Sequence, residues 1–264
     1  MMGRDLLPKN ISLDQFRKLL ARYDSFIEST SSSKKVKPGQ KTLLELDRFR
    51  YHDTVALFHS EDTRRPMKLD DVKTLVDWKL RHGQFRPSLM KLVSENDETP
   101  VEHLIQEAVK KYRTNSNASK ALNIIAKLRG VGPATASLLL SVHEPKTVIF
   151  FSDEAFYWLC RDGHKSHIKY NSTEYEELSA AAQALVQRLG VDAVDIEKVA
   201  YVLMKEGPTE TTSINGKADA TPDAKPAQVG SSKKSAKRKS NSSGDNTELI
   251  PLRRSKRGKA SAEN

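Results

Sequence analysis

Residues 128–136 read Leu128-Arg129-Gly130-Val131-Gly132-Pro133-Ala134-Thr135-Ala136. On both sides of this stretch, apolar residues recur at the three- and four-residue steps that are typical of helices. The two glycines permit positive φ, and Pro133 suits the first turn of a helix, where its missing N–H costs nothing. The stretch therefore predicts two helices joined by a tight turn, a helical hairpin over about residues 120–142.

A tight turn of this kind directs unpaired backbone N–H groups and the N-terminus of the following helix toward one point in solvent. An oxyanion is stabilised at such a point, and for a basic chain the phosphate of a nucleic-acid backbone is the obvious one. Contact of this type holds DNA without reading its sequence. The alternative is a purely structural turn between two helices, for which Gly-x-Gly-Pro is also suitable.

Residues 1–206 show helical spacing nearly throughout, with little of the alternation that is typical of strands. We predict a first helix that Ser12 caps and that continues to Ile27, and a second helix from Thr42 to Phe58. Eight more helices are expected at residues 69–80, 87–94, 101–112, 118–128, 133–142, 153–161, 173–189 and 193–205. The predicted fold class is all-α, with one multi-helix domain over residues 1–206.

After Gly207 and Pro208 the composition changes to Ser, Thr, Ala, Lys, Pro and Gly, with almost no bulky apolar residues. Such a segment buries too little apolar surface to offset the entropy of ordering, so we predict a disordered tail over residues 207–264. The tail carries 12 of the 44 Lys and Arg residues but 6 of the 34 Asp and Glu residues. Two basic clusters, residues 233–239 and 253–259, are typical of nuclear-import signals or of arms that pair with phosphates, and a solubilising tail is the alternative.

The net charge of +10 favours a polyanionic partner, foremost nucleic acid. The single cysteine, Cys160, excludes a disulfide framework and a cysteine-built zinc or iron–sulfur site. Residues 1–9 lack the apolar stretch of a signal peptide, and no apolar run approaches the roughly 20 residues of a membrane span. We expect a soluble, intracellular protein that is a monomer and makes no membrane contact.

His164 and His167 have a spacing that a metal ion uses, but they belong to a polar stretch beside Lys165. We predict that both histidines lie at the surface, and we predict neither a metal site nor a cofactor. Cys160, within an apolar helix, is predicted to be a small buried apolar residue rather than a nucleophile.

The hairpin and the sequence after it resemble the helix-hairpin-helix superfamily of DNA glycosylases. In that family, Leu-x-Gly-Val-Gly-x-x-Thr-Ala is followed by an apolar stretch and then by a catalytic Asp that opens the next helix. The matching residues of this chain are Leu128, Gly130, Val131, Gly132, Thr135, Ala136, the apolar residues 148–151 and Asp153. The resemblance, which covers about residues 120–160, implies a glycosylase-like helical domain. It also implies contacts to double-stranded DNA by Gly130, Val131, Gly132, Ala134 and Thr135.

The same resemblance implies that Asp153 is catalytic. A carboxylate beside an extruded nucleotide stabilises the oxocarbenium-like sugar as the base departs, and it orients the attacking water. Extrusion costs a few kcal/mol, which favours damaged or mispaired bases. The alternative is structural, because Ser152-Asp153-Glu154 before an apolar helix is an ordinary helix N-terminus with Ser152 as its cap.

Three features depart from the family pattern. Members that also cleave the strand have a hairpin Lys as Schiff-base nucleophile; the matching position here is Ala134, so lyase chemistry by that residue is not expected. The iron–sulfur loop of some members cannot be built from one cysteine. Glu154-Ala155 stands where the family often has Thr-His, which places a second acid beside Asp153.

A second basic segment, residues 78–87, combines cations with two aromatic residues around a glycine. Guanidinium groups there suit phosphates, and an aromatic ring suits stacking on a base. The alternative is that Trp78 and Phe85 belong to the core and that the cations form a solvated face. The predicted DNA contacts of this segment are Lys79, Arg81 and Arg86.

Two functions remain open at this point. The first is a nuclear, cofactor-free DNA N-glycosylase that removes an altered base in base excision repair. The second is a non-enzymatic DNA- or chromatin-binding adaptor that keeps the hairpin and has lost the pocket. Both predict double-stranded DNA as the partner, bound with strong salt dependence and little sequence preference, and an import receptor or chromatin proteins as partners of the tail. Only the first predicts release of a base.

Overall fold

The computed structural model describes residues 2–59 and 65–206, and every regular element in these two ranges is helical. A 3₁₀ turn at Arg4–Leu6 precedes α1 (Leu13–Leu20), α2 (Tyr23–Ser32) and α3 (Leu43–Arg48), and a π-helical turn at Phe49–Asp53 leads into α4 (Thr54–Phe58). The remaining helices are α5 (Leu69–His82), α6 (Leu89–Ser94), α7 (Glu98–Asn115), α8 (Ala118–Ile125), α9 (Pro133–Ser141), α10 (Asp153–Cys160), α11 (Ser172–Leu189) and α12 (Ala193–Glu206). The prediction of an all-α fold is therefore confirmed for the described residues. The predicted tail, 207–264, lies outside them together with its two basic clusters.

Two of the predicted helices are divided in the structure. Ser12 caps α1 as predicted, but α1 ends at Leu20, because Arg22 N donates to Leu19 O at 3.1 Å in a tighter bond than an α-helix makes. The helix predicted from Thr42 to Phe58 is interrupted by the π-helical turn, whose extra residue per turn places Arg50 and Tyr51 in the core. Neither break carries a Gly or Pro that would have indicated it in the sequence.

The core is apolar and aromatic, and it is shared by all the long helices. The hairpin helices α8 and α9 pack on each other, α8 also packs on α7, and α9 also packs on α5. The helix that begins at Asp153, α10, packs on α11 and α12. Trp78 and Trp158 are among the largest side chains that are fully buried in this core. No helix in the described ranges combines the length and apolar character that crossing a membrane requires.

A buried ion pair lies at the centre of the fold. The guanidinium of Arg50, which is 0% exposed, donates to Ser141 Oγ at 2.7 Å and to Glu197 Oε2 at 3.1 Å. The other carboxylate oxygen of Glu197 accepts from Phe150 N at 2.6 Å. The pair thus connects the π-helical turn, α9 and α12 to the segment that leads into Asp153.

Candidate functional site

The turn of the hairpin is closely packed on its inner side. Gly130 has φ +77°, a left-handed conformation that favours glycine, and a Cβ built there would lie 2.7 Å from Leu92 Cβ. The side chain of Asn96 fixes the residue before Gly130. Its Oδ1 accepts from Arg129 N at 2.8 Å, and its Nδ2 donates to Arg129 O at 2.9 Å. Both the conformation and the packing therefore require glycine at position 130.

The outer side of the same turn is open. Gly132 is exposed, has an ordinary negative φ of −98°, and a Cβ built on it would meet no atom within 4 Å. Among the described residues, no acceptor forms a hydrogen bond with the backbone amides of Gly132 and Ala134. Val131 and Thr135 are 6% and 3% exposed, so a ligand reaches Val131 only through its backbone. The turn presents the arrangement of amides and helix N-terminus that its sequence predicts.

Asp153 is the first residue of α10, and it is not the residue that caps the helix. Ser152 has that role, because its Oγ accepts from Ala155 N at 3.0 Å. The carboxylate of Asp153 instead accepts from the hydroxyl of Tyr170, with 2.5 Å between Tyr170 Oη and Asp153 Oδ1. Within the described part of the chain, Oδ2 has no hydrogen-bond donor.

Two hydrogen bonds fix the position of the segment before Asp153 relative to the hairpin. Residues 148–152, which have no regular secondary structure, are joined to α9, because Phe151 N donates to Ser137 Oγ on that helix at 2.9 Å. Phe150 N is held by Glu197 on α12, as described above. The segment before Asp153 is therefore fixed to the second helix of the hairpin on one side and to α12 on the other.

The turn and Asp153 open onto one cleft with a volume of about 250 Å³. Three parts of the chain line it besides the loop that carries Tyr170: the end of α5 with the residues after it, the turn with the start of α9, and the start of α10. The residues that line the cleft include Lys79, Gln84, Arg86, Gly130, Gly132, Ala134, Thr135, Asp153, Glu154 and Tyr170.

Tyr170 is the residue of this cleft that the sequence did not indicate. It has φ +54°, and its amide and that of Lys169 both donate to Glu174 Oε2 at 2.8 Å, which holds this unusual backbone. The guanidinium of Arg86 lies 5.4 Å from the centre of its ring. Burial, the hydrogen bond to Asp153 and the charge of Asp153 raise the pKa of Tyr170, so its hydroxyl stays a donor at neutral pH. Because 17 residues separate Tyr170 from Asp153, no local pattern marks the contact.

Lys79 lies inside the cleft and not on a solvated face. Its Nζ donates to Thr135 Oγ1 at 3.2 Å, which joins α5 to the hairpin. Burial and, to a lesser degree, the cation of Arg86 lower the pKa of Lys79 to about 8, and Asp153 opposes this shift.

The other residues of the basic segment are placed differently from Lys79. Arg81 makes two bonds to the carboxylate of Asp77 at 2.8 and 2.9 Å and does not line the cleft. The prediction that Trp78 belongs to the core is confirmed, since it is 0% exposed. The same prediction for Phe85 is wrong, because its ring is 72% exposed in the loop between α5 and α6. Phe85 stands between Gln84 and Arg86, which both line the cleft.

The other residues that the sequence singles out are either held in structural contacts or lie at the surface away from the cleft's chemistry. The acid next to Asp153, Glu154, is 7% exposed and pairs with Lys205 Nζ at 2.8 Å. Burial raises the pKa of the half-buried thiol of Cys160 to about 12, which disfavours the reactive thiolate. His164 and His167 are exposed, as predicted. In residues 2–59 and 65–206, no group of three or more His, Cys, Asp or Glu side chains is arranged to hold a metal ion.

Comparisons with known proteins provide no template for this cleft. No family model matches the chain, and neither a curated protein nor a solved structure matches it. The resemblance of residues 120–160 to the helix-hairpin-helix glycosylases is therefore an interpretation of the motif, and its functional consequences are proposals.

Proposed function

We propose that this protein binds double-stranded DNA through the turn of its helical hairpin and hydrolyses the N-glycosidic bond of an altered base with Asp153. The observation that carries the proposal is the single cleft onto which both the turn and Asp153 open. A glycosylase needs these two features side by side, because the phosphate contact fixes the strand while the carboxylate acts on one sugar of it.

The turn supplies the phosphate contact. The amides of Gly132 and Ala134 and the N-terminus of α9 are accessible from the cleft, and they stabilise an anion without any side-chain charge. Arg86, which also lines the cleft, adds a guanidinium that suits a second phosphate oxygen. None of these groups reads a base edge, so the contact is independent of sequence.

The exposed ring of Phe85 is placed to support extrusion of a nucleotide. An apolar ring beside a cleft inserts between base steps and replaces the stacking that the extruded base loses. Phe85 has the required exposure, and the residues on either side of it line the cleft.

Asp153 carries the chemical step. The bond between C1′ and the base nitrogen breaks, the base leaves with the electron pair and takes up a proton, and water adds to C1′. A carboxylate stabilises the positive charge that develops on the sugar and accepts a hydrogen bond from the attacking water. Tyr170 occupies Oδ1 and so fixes the rotation of the carboxylate, which leaves Oδ2 for the sugar or the water.

The direct test is Asp153→Asn in the full chain, assayed on duplexes with alkylated, oxidised, deaminated or mismatched bases. We expect base release by the wild type and a loss of at least about 100-fold in the variant, the size expected when one electrostatic group acting on the transition state is removed. DNA affinity should stay within about twofold, because the phosphate contact is intact. The matched control is Asp97→Asn, which removes an acid at the N-terminus of another helix, α7, outside the cleft.

One observation favours a second function, a DNA-binding adaptor without catalysis. The carboxylate of Asp153 is already bonded by a tyrosine hydroxyl with a raised pKa, which is also what a purely structural contact between α10 and the next loop requires. If the wild type releases no base from the whole panel but binds duplex through the hairpin, the adaptor function replaces the glycosylase function.

We further propose that the protein acts in the nucleus. The support is the pair of basic clusters at residues 233–239 and 253–259, whose charge density suits an import receptor and the phosphates of DNA. Substitution of the lysines and arginines of both clusters should move a fluorescent fusion from the nucleus to the cytoplasm, and a fusion that stays nuclear would contradict the assignment.

A further inference from the structure

The cleft contains an amine that hydrolysis of the glycosidic bond does not use. Lys79 extends from α5 toward the hairpin, where its Nζ contacts Thr135 Oγ1 at 3.2 Å. Within the described residues this hydroxyl is its one hydrogen-bond partner, and no carboxylate lies within ion-pair distance. A partly buried ammonium group with a single neutral partner is less stable than one in water, so the pKa of Lys79 is lowered.

The neutral amine is the reactive form of lysine. With a pKa of about 8, about a tenth of the Lys79 side chains are neutral at pH 7, a few hundred times more than for an exposed lysine. Lysines with a lowered pKa are the ones that condense with carbonyl compounds to form Schiff bases.

We propose that Lys79 forms a Schiff base with an aldehyde, and that this aldehyde is the ring-opened deoxyribose of an abasic site in duplex DNA. The proposal rests on the proposed function only in that the cleft must admit DNA. It does not require that the protein itself remove the base, because the abasic site can be present beforehand.

The position of Lys79 supports this choice of carbonyl. Its Nζ contacts the residue that follows Ala134, so α5 brings an amine to the part of the hairpin where the chain itself has none. Lys79 and Asp153 line the same cleft of about 250 Å³. A sugar bound in this cleft at Asp153 therefore shares it with the Lys79 amine.

The step is balanced without an oxidant, reductant or metal. The lone pair of Nζ attacks C1′ of the aldehyde, the C–N bond forms, and one amine proton passes to the aldehyde oxygen to give a carbinolamine. The hydroxyl then leaves with the second amine proton as water, and a C=N bond remains. Water reverses the reaction and releases both partners.

The experiment is reductive trapping with the full chain. A duplex with one abasic site, prepared beforehand by a separate uracil-removing enzyme, is incubated with the protein and sodium cyanoborohydride, which reduces the imine to a stable secondary amine. We expect a covalent protein–DNA product for the wild type and a yield at least about tenfold lower for Lys79→Gln and for Lys79→Arg. Lys73→Gln is the matched control, since Lys73 lies on the same helix, pairs with Asp70 and does not line the cleft.

Peptide mapping identifies the attacking amine even if a variant does not fold. Digestion of the trapped wild-type product should place the adduct on the peptide that contains Lys79. An adduct on a lysine of residues 207–264, or on the α-amino group, would overturn the proposal.

The pH dependence of the initial trapping rate gives an independent result. The neutral fraction of Lys79 rises with pH and is half at its pKa of about 8, so the rate of imine formation, followed by quenching samples with sodium borohydride, should approach its plateau near pH 9, whereas a surface lysine keeps accelerating beyond pH 10. The charged and titratable groups that line the same cleft are His82, Arg86, Asp153, Glu154 and Tyr170. Because burial keeps His82 neutral and raises the pKa of Tyr170, neither titrates between pH 7 and 9.

The outcomes separate this proposal from the proposed function. A wild type that binds the abasic duplex in a mobility-shift assay but gives no covalent product contradicts the role of Lys79 and leaves the glycosylase proposal standing. Trapping at Lys79 by a protein that releases no base supports the role of Lys79 and contradicts the glycosylase. A wild type that does not bind duplex DNA at all overturns both.

Discussion

The two glycines of the turn differ in backbone conformation and packing, although the sequence motif does not distinguish them. Gly130 has a left-handed backbone and lies against Leu92, whereas Gly132 has an ordinary backbone and faces open space. The conformation and packing of position 130 thus require glycine, whereas those of position 132, two residues later, leave room for a side chain.

This difference predicts that alanine substitutions at the two positions change stability by unequal amounts. Gly130→Ala should lower the free energy of unfolding by at least about 2 kcal/mol, because the left-handed conformation costs about 1–2 kcal/mol and the new methyl group overlaps Leu92. Gly132→Ala should change it by less than about 1 kcal/mol, since neither cost applies there. Urea unfolding followed by circular dichroism measures both, and equal losses in the two variants would show that the described turn is wrong.

Much of the site at the residue scale follows from local sequence. The turn, the cap by Ser152 and the start of α10 at Asp153 depend on neighbours within three or four residues, and all of them agree with the structure. The contacts of Tyr170 with Asp153 and of Lys79 with Thr135 join residues 17 and 56 positions apart, and they depend on how whole helices pack. The exposure of Phe85 is also not predictable from local sequence, because an apolar residue in a loop is buried only if another element packs over it.

At the scale of elements, the Arg50–Glu197 pair fixes the segment before α10. Glu197 accepts from Arg50 and from the backbone of Phe150, so both the core and the approach to Asp153 depend on it. The π-helical turn that places Arg50 has no signal in the sequence, because the apolar spacing of residues 42–58 fits an uninterrupted helix.

Glu197→Gln should therefore destabilise the protein strongly. The substitution keeps the shape of the side chain but leaves the buried guanidinium of Arg50 without its counter-charge, which typically costs about 3–5 kcal/mol. Glu177→Gln removes the half-exposed pair with Arg161 and should cost less than about 1 kcal/mol. If chemical denaturation gives the two variants similar losses, the central ion pair does not contribute as described.

At the scale of the whole molecule, a buried histidine links stability to pH. His82 stacks between Trp78 and Tyr201, with ring centres 4.4 and 3.8 Å apart. Burial, reinforced by the cations of Lys205, Lys34 and Arg50, lowers the pKa of His82 well below its usual value. The folded protein therefore keeps His82 neutral at a pH where the unfolded chain protonates it.

The sign of the effect follows from proton binding. Below the unfolded pKa of about 6.5, the unfolded chain binds a proton at His82 that the folded chain does not, so stability falls as the pH falls, by up to about 1.4 kcal/mol per unit. Between pH 6.5 and 5, unfolding free energies should show this slope in the wild type and a flatter one in His82→Gln. The exposed-histidine variant His103→Gln should keep the wild-type slope. Equal slopes in all three proteins would mean that His82 is protonated in the folded state.

The contact between the turn and DNA is tested most directly by the DNA affinity of Gly132→Asp, measured with the full chain at the same salt concentration as the wild type. Space and φ permit the new side chain, so the fold should persist while a carboxylate lies at the proposed phosphate position. Asn123→Asp adds the same charge to an exposed position of α8 and serves as the control. We predict at least a tenfold loss of affinity for Gly132→Asp and a change within about twofold for the control. The new carboxylate both occupies the N-terminus of α9 and repels the DNA phosphate. If Gly132→Asp binds duplex DNA as tightly as the control does, the turn does not contact DNA and the central claim is wrong.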